Sequence, residues 1–243
     1  MNYAIILAGG TGQRMRQSGM PKQFLDVYGK PIIIYTLEAF QENALIDEII
    51  IPCNASWIDY LHNLVDRYQI TKAKYIVAGG KDRNGSLLAG LHAVAPSLKE
   101  KDIVVIHDGV RPLIQQETID KNIEIAKKHG NAMTVRANIE TVVVTEDMSA
   151  KWDDFKDRTI TYTLTAPQSF QATELLSVLK TVEDLNNDGE MPLLDVSLMY
   201  ARLGKQVYMV VEEGNNLKIT TPEDYYYLKS YFELQESKHI LGV

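Results

Sequence analysis

Largely apolar runs of five or six residues alternate, through the first half of the chain, with longer stretches whose apolar residues recur at helical spacing. The runs are Tyr3–Leu7, Glu48–Pro52, Lys74–Ala78 and Asp102–His107, and the helical patterns lie near Pro31–Phe40, Trp57–Tyr68, Gly85–Val94 and Glu117–His129. A helix between each pair of strands leaves no place for tight hairpins, so successive strands must run parallel. Parallel strands need cover on both faces, and the intervening helices supply it.

After Ala132 the rhythm breaks. Two β-rich pieces, TVVV at 141–144 and TITYT at 159–163, flank the polar stretch EDMSAKWDDFKDR. This pattern predicts an arm at about 136–163 that leaves the main sheet. A projecting β-arm must bury its apolar face on something, and a second copy of the chain is the economical partner, so a homodimer is expected. The chain then returns through a helix after Gln171, a polar turn NNDGE, a helix near Asp195–Leu203, a strand Val207–Val211, the segment NNLKITTPED and a closing helix rich in tyrosine. No repeat or low-complexity segment interrupts this order. Residues 1–243 therefore read as a single α/β domain of Rossmann-like type, a mostly parallel sheet with helices on both faces and a protruding β-arm for dimerisation.

In such sheets ligands sit beyond the carboxyl ends of the strands. The loops that fall there are LAGGTGQRM after the first strand, AGGKDRNGS after the third and HDGVRP after the fourth. Gly9, Gly10 and Gly12 permit close backbone approaches that a side chain would block, so amide N–H groups can converge on an anion. Arg14 and, a little later, Lys22 add positive charge where a polyphosphate crowds negative charge. Two common nucleotide loops are excluded: a dinucleotide fingerprint starting at Gly10 needs a glycine where Met15 stands, and no glycine-lysine-serine or glycine-lysine-threonine ending occurs.

Composition narrows the partners. With 45% hydrophobic and 23% charged residues the chain is an ordinary globular protein, and its net charge of −7 speaks against a nucleic-acid surface while leaving room for a nucleotide held by local cations. No signal-peptide pattern stands at the N-terminus and no run approaches the roughly 18 apolar residues of a membrane span, so a cytoplasmic location without membrane contact is expected. The single cysteine, Cys53, has no companion for a disulfide or a metal cluster and reads as a small buried residue at a strand end.

Six segments in order, LAGGTGQRM, PKQFL, AGGKDRNGS, HDGVRP, APQSF and NLKITTPED, span residues 3–224. Together they resemble the sugar-alcohol-phosphate cytidylyltransferases, the family of the methylerythritol 4-phosphate and ribitol 5-phosphate enzymes. The resemblance implies transfer of CMP from CTP to a polyol phosphate with release of pyrophosphate, an in-line displacement served by positioning and electrostatics. It implies Arg14, Lys22 and Lys218 as catalytic residues, with Arg14 and Lys22 on the triphosphate and Lys218 on the substrate phosphate. It implies a CTP cradle of Leu7, Ala8, Gly9, Gly10 and Gly12, of Gly79, Gly80, Lys81, Asp82, Arg83, Asn84, Gly85 and Ser86, and of Asp108 and Gly109. Asp108, Arg111, Thr141, Arg158 and Lys218 fall on the acceptor side, Arg158 reaching from the arm into a neighbouring subunit's site. Magnesium is expected as the companion of the triphosphate, with ligands unassigned.

Plainer readings stand beside these. Asp82 and Ser86 suit a helix start as well as a ligand. Asp108 and Arg111 suit an ion pair that shapes the loop before Pro112, and His107 reads as a hydrogen-bonded core histidine.

The departures from the family pattern lie on the acceptor side. The usual TPQ becomes Ala166, Pro167, Gln168 with Thr165 one place early, Leu193 and Leu194 precede Asp195, Val196 and Ser197 where the pattern is TDDAS, and Gly109 replaces the usual alanine or serine. The second glycine of LAGG and the valine before Arg111 lean towards the ribitol enzymes, which supply an activated alditol for surface polymers such as teichoic acid or capsule. The methylerythritol enzyme of isoprenoid synthesis is the alternative, and a non-catalytic nucleotide-binding regulator lies outside both.

Overall fold

The central residues of the first strand alternate between two buried clusters, and that alternation sets the layers. In a computed structural model that describes residues 1–10, 19–186 and 195–241, Tyr3 and Ile5 pack with one apolar cluster while Ala4 and Ile6 pack with another. The period of two along a strand sends neighbours to opposite faces.

In chain order the elements are β1 (Asn2–Leu7), the short strands β2 (Asp26–Val27) and β3 (Lys30–Pro31), α1 (Ile32–Glu42), β4 (Glu48–Cys53), α2 (Ile58–Arg67), β5 (Ala73–Ala78) and α3 (Arg83–Val94). They continue with β6 (Ile103–Asp108), α4 (Gln116–His129), β7 (Asn131–Ala137), the short pair β8 (Val142–Val143) and β9 (Phe155–Lys156), and β10 (Tyr162–Gln171). The last are α5 (Ala172–Asn186), α6 (Val196–Arg202), β11 (Met209–Val211) and α7 (Pro222–Leu241). The seven-stranded sheet has the order β11-β7-β10-β6-β1-β4-β5. The run β6-β1-β4-β5 is parallel, and β10 alone opposes both of its neighbours.

Helices α1, α2 and α4 close one face through Leu37, Phe40, Leu61, Ile119 and Ile123, and α3, α5 and α6 close the other through Leu87, Leu91, Leu175, Val178 and Tyr200. A smaller cluster of Val27, Ile32, Val110, Ile219 and Leu228 seats α7 against the rim of the sheet. The mostly parallel sheet with helices on both faces agrees with the expectation from sequence. Gly130 ends α4 in the left-handed region, φ +92°, and its N–H closes on the Ala126 carbonyl at 2.8 Å; a glycine takes that conformation without a Cβ penalty.

Two local expectations change. Only Val142 and Val143 of TVVV form a strand. In TITYT the strand begins at Tyr162, because Asp157 accepts hydrogen bonds from both the amide and the hydroxyl of Thr159 at 2.8 Å and turns the chain first. The register of β10 against β7 shifts between Leu164 and Gln168, across Pro167, which has no N–H to give the ladder. The turn residues 187–190, like Leu193 and Leu194, lie outside the described residues.

Candidate active site

The strand order reverses at β1, with β4 and β5 on one side and β6 on the other, and a crevice opens at such a switch point. Leu7 stands in register with Asp108, Ala8 bridges to Cys53, and Gly79 N–H donates to the Cys53 carbonyl at 2.7 Å. Four strand ends are thereby locked side by side. Above them lies a cleft of about 350 Å³.

Its lining collects residues from every loop singled out by the sequence: Leu7, Ala8, Gly9 and Gly10 from the first, Gly80, Lys81, Asp82, Arg83 and Ser86 from the second, with Lys22, Asp108 and Lys218. Gly79, Asn84, Gly85 and Gly109 belong to the same loops but are not among the lining residues. Gly12 and Arg14 fall outside the described residues. Two lining residues that carried no assigned role are Gln23 and Val110.

Gln23 is the more telling of the two. It is buried, and its Nε2 donates to the carbonyls of Ala8 and Gly10 at 2.7 and 3.1 Å. The short 3-10 turn Lys22–Phe24 is thus tied to the glycine loop. Its other end is held by Phe24, which stacks on Trp57 at 5.1 Å and meets Tyr60 edge-on at 5.3 Å. Lys22 therefore enters the cleft from a turn fixed at both ends.

The second loop is built around α3. Asp82 caps the helix by accepting Gly85 N–H at 2.7 Å, as the capping reading has it, whereas the Ser86 hydroxyl donates back to the Asp82 carbonyl at 2.8 Å and caps no amide. A Cβ on Gly80 would stand 2.4 Å from the Gly85 carbonyl carbon, and one on Gly79 would stand 2.9 Å from the Ser86 hydroxyl oxygen. Only bare backbone allows the loop to fold this tightly over the helix. The amino end of α3, with its free N–H groups, faces the cleft, a geometry suited to anions. Arg83 Nη1 is shut off from solvent and has no hydrogen-bond partner among the described residues.

Four cations, Lys22, Lys81, Arg83 and Lys218, line the cleft against two carboxylates. One of these, Asp82, is engaged as a cap. The other, Asp108, accepts Arg111 Nε at 3.0 Å and Lys218 Nζ at 2.9 Å on the same oxygen, Oδ2. Burial works against its charge, but Lys218, Arg111 and Arg83 outweigh it and hold the carboxyl well below the usual range. The ion pair foreseen between Asp108 and Arg111 is present and includes Lys218 as well. Val110 accepts Ile219 N–H at 2.9 Å, which docks the NLKIT segment on the HDGVRP loop.

Gly109 N–H donates to the Leu7 carbonyl at 2.9 Å, and a Cβ there would approach that carbonyl to 3.1 Å. The glycine thus permits close approach of β1. His107 is sealed in the core beside Phe40, and its Nε2 donates to the Arg111 carbonyl at 3.2 Å. Burial, reinforced by Arg111 and Lys218 against the pull of Asp108, pushes its pKa down to about 4.

On β10, in register with Ile106 of β6, Gln168 Nε2 reaches both Asp195 oxygens at 2.8 Å and Ser197 donates to Gln168 Oε1 at 3.1 Å. Thr165 turns its hydroxyl away to the Thr134 carbonyl at 3.3 Å. Arg111 Nη1 donates to the Asn216 carbonyl at 2.8 Å.

Thr141 and Arg158 are not brought to this cleft within one chain. Both lie exposed on the arm, where Arg158 donates to the Ile139 carbonyl at 3.4 Å. The arm also leaves Ile139, Met148, Trp152 and Ile160 more than 70% exposed. Cys53 is buried at the end of β4, and burial pushes its thiol up to about 11. Among the described residues no helix is long and apolar enough to cross a membrane.

Comparison with known proteins adds the chemistry. The family model for 2-C-methyl-D-erythritol 4-phosphate cytidylyltransferase (IspD) matches residues 2–233. The chain is 41% identical to a ribitol-5-phosphate cytidylyltransferase of Streptococcus agalactiae and 39% identical to one of Vibrio parahaemolyticus, each over 100% of both chains. It is 36% identical to a 2-C-methyl-D-erythritol 4-phosphate cytidylyltransferase of Clostridium acetobutylicum over 93% of this chain and 95% of that one. The crystal structure of 4-diphosphocytidyl-2C-methyl-D-erythritol synthase from Anaerococcus prevotii superposes with a TM-score of 0.79 at 26% identity, covering 96% of each chain. A glycine-rich, cation-lined cleft at the switch point and these full-length relations lead to one conclusion: the chain belongs to the IspD family of cytidylyltransferases and is a nucleotidyltransferase.

Proposed function

We propose that this protein transfers CMP from CTP to ribitol 5-phosphate, giving CDP-ribitol and pyrophosphate. The full-length relation to ribitol-5-phosphate cytidylyltransferases carries this reading. The relation to a methylerythritol enzyme is lower in identity and coverage, which places that acceptor second.

In the reaction an oxygen of the acceptor phosphate attacks the α-phosphorus of CTP, and the bond from that phosphorus to the β-bridging oxygen breaks in line. The electron pair leaves with pyrophosphate. No protein base is required, since a phosphate monoester is already anionic near neutral pH. The protein's task is to place and neutralise charge. Lys22, the amino end of α3 and Arg83 serve the triphosphate, with Arg14 of the glycine-rich LAGGTGQRM segment. Arg111 and Lys218, held by Asp108, serve the acceptor phosphate. The backbone of residues 7–10 and 79–86 holds the nucleoside.

Among the described residues no cluster of three metal-binding side chains occurs. The two carboxylates at the cleft are both engaged, Asp82 as a helix cap and Asp108 with Arg111 and Lys218, and this fits a magnesium ion held chiefly by nucleotide phosphates. When bound, such an ion offsets phosphate charge. The arm supports a homodimer in which Thr141 and Arg158 complete the partner's acceptor site, and the molecule acts as one domain in the cytoplasm.

Pyrophosphate release with CTP, magnesium and a panel of polyol phosphates tests the reading. Turnover with ribitol 5-phosphate is expected; turnover with methylerythritol phosphate alone would overturn it.

A further inference from the structure

Behind the acceptor side of the cleft lies a carboxylate that the reaction does not use. Glu212 follows β11, is only 5% exposed, and is rooted in the sheet by its N–H, which donates to the Val135 carbonyl at 2.9 Å. A buried carboxylate is costly unless hydrogen bonds and cations answer it. Glu212 Oε2 accepts from Asn216 Nδ2 at 2.9 Å, while Oε1 is sealed from solvent with no partner among the described residues. Burial pushes the Glu212 carboxyl up, and the cations Arg111 and Arg136 pull the other way.

We infer that Glu212 is a positioning residue for the acceptor phosphate, fixing Asn216 so that Arg111 and Lys218 keep their places beside Asp108. This rests on the reading of Arg111 and Lys218 as the acceptor-phosphate pair. The side chain of Asn216 is buried and also donates to the Ala166 carbonyl, so it joins β10, the end of β11 and the NLKIT segment at one point. Its own backbone carbonyl receives Arg111 Nη1 at 2.8 Å, and Asp108 receives Arg111 Nε at 3.0 Å. Two nitrogens of the guanidinium are thereby spent on orientation, and Nη2 has no hydrogen-bond partner among the described residues. Two residues beyond Asn216, Lys218 reaches the same Asp108 oxygen at 2.9 Å. The chain between Glu212 and Lys218 is loop, so its stiffness comes from such anchors. A neutral side chain could fill the space behind Asn216. A carboxylate also attracts the Arg111 guanidinium.

The test is steady-state kinetics with ribitol 5-phosphate and CTP. Glu212→Ala is expected to raise the acceptor KM tenfold or more while leaving the CTP KM within about twofold, and Glu212→Gln, whose amide oxygen still accepts from Asn216, recovers most of that loss. In an Arg111→Ala background the same Glu212→Ala change should shift the acceptor KM less than about twofold, because coupled residues are not additive. An unchanged acceptor KM, equal losses for both substrates, or an undiminished loss in the Arg111→Ala background overturns the inference. Should Glu212→Ala fail to fold, Glu212→Asp, which keeps the charge but falls short of Asn216, takes its place. A wild-type protein inactive on ribitol 5-phosphate counts against the proposed acceptor and not against Glu212. The role of Glu212 is then decided by the crystal structure of the unliganded variant, in which an Arg111 guanidinium still seated on the Asn216 carbonyl refutes it.

Discussion

Lys218 Nζ lies 2.9 Å from the same carboxylate oxygen of Asp108 that accepts Arg111 Nε at 3.0 Å. One anion gathers two cations that arrive on separate loops, and keeps both from drifting into solvent. Asp108→Asn should therefore lower activity through the acceptor KM and cost about 2 kcal/mol of stability, less than a sealed pair because Lys218 is partly exposed. Its depressed pKa sets the pH window. The stabilisation is complete above an unfolded carboxyl's value of about 3.9 and is lost as pH falls below it. Urea unfolding of wild type and Asp108→Asn should differ by a constant amount from pH 5 to 8 and converge in stronger acid.

His107 contributes a second, separate pH dependence. Its folded pKa of about 4 lies below the unfolded value of about 6.5, so the unfolded chain takes up a proton first. Stability from neutral His107 is full above about pH 6.5 and declines by about 3 kcal/mol in total as pH falls to 4. Replacing it with glutamine, which can still donate to the Arg111 carbonyl, should flatten the stability curve over that window. A curve as steep as wild type would assign the slope to other groups.

Lys22→Ala should reduce turnover about 100-fold or more, equivalent to about 3 kcal/mol of transition-state stabilisation, with the melting temperature within a few degrees of wild type. Gln23→Ala supplies the contrast. It frees the turn that carries Lys22, so it should weaken turnover less and destabilise more. Thermal melts run beside pyrophosphate assays separate the two.

At Gly80 even alanine is too large, since the added carbon would stand 2.4 Å from the Gly85 backbone. Gly80→Ala should force the loop off α3, raise the CTP KM tenfold or more, and cost about 1–3 kcal/mol of stability. A CTP KM near wild type would show that the loop is not part of the nucleotide site.

For the arm, heterodimers that pair an Arg158→Ala subunit with a Lys22→Ala subunit should regain part of the activity that each homodimer lacks. Sedimentation should report a dimer, and Trp152→Asp or Ile139→Asp should shift it towards monomer. Confirmed heterodimers without activity would place Arg158 outside the shared site.

Much of the scaffold could be read from the chain because β1, β4, β5 and β6 are apolar runs set apart by helices, a pattern that few other folds accommodate. The antiparallel course of β10 was not readable, since nothing local in TLTAPQSFQ tells which way a strand returns from an excursion. Among site residues the cations and glycines announced themselves by type and spacing. Gln23 did not, although it stands inside the quoted PKQFL segment, because a buried carboxamide acquires meaning only when the carbonyls of Ala8 and Gly10 are seen above it. Glu212 was missed for a related reason: an acid in a polar loop reads as solvated until its burial is known.

The Ser86 hydroxyl has a consequence for how this enzyme could change. It lies 3.0 Å from where a Cβ on Gly9 would stand and 2.9 Å from one on Gly79, so a single oxygen gauges two loops that belong to strands separated by a third. The slot between them is walled by main chain, and main chain is common to every sequence. In the proposed reading the base lies in this slot, so widening it for a larger base would require moving strands, whereas the side chains around Gln168, Asp195 and Arg111 can be exchanged one at a time. Nucleotide preference is therefore the conservative half of such a site, and the alcohol it activates is the half open to evolutionary drift.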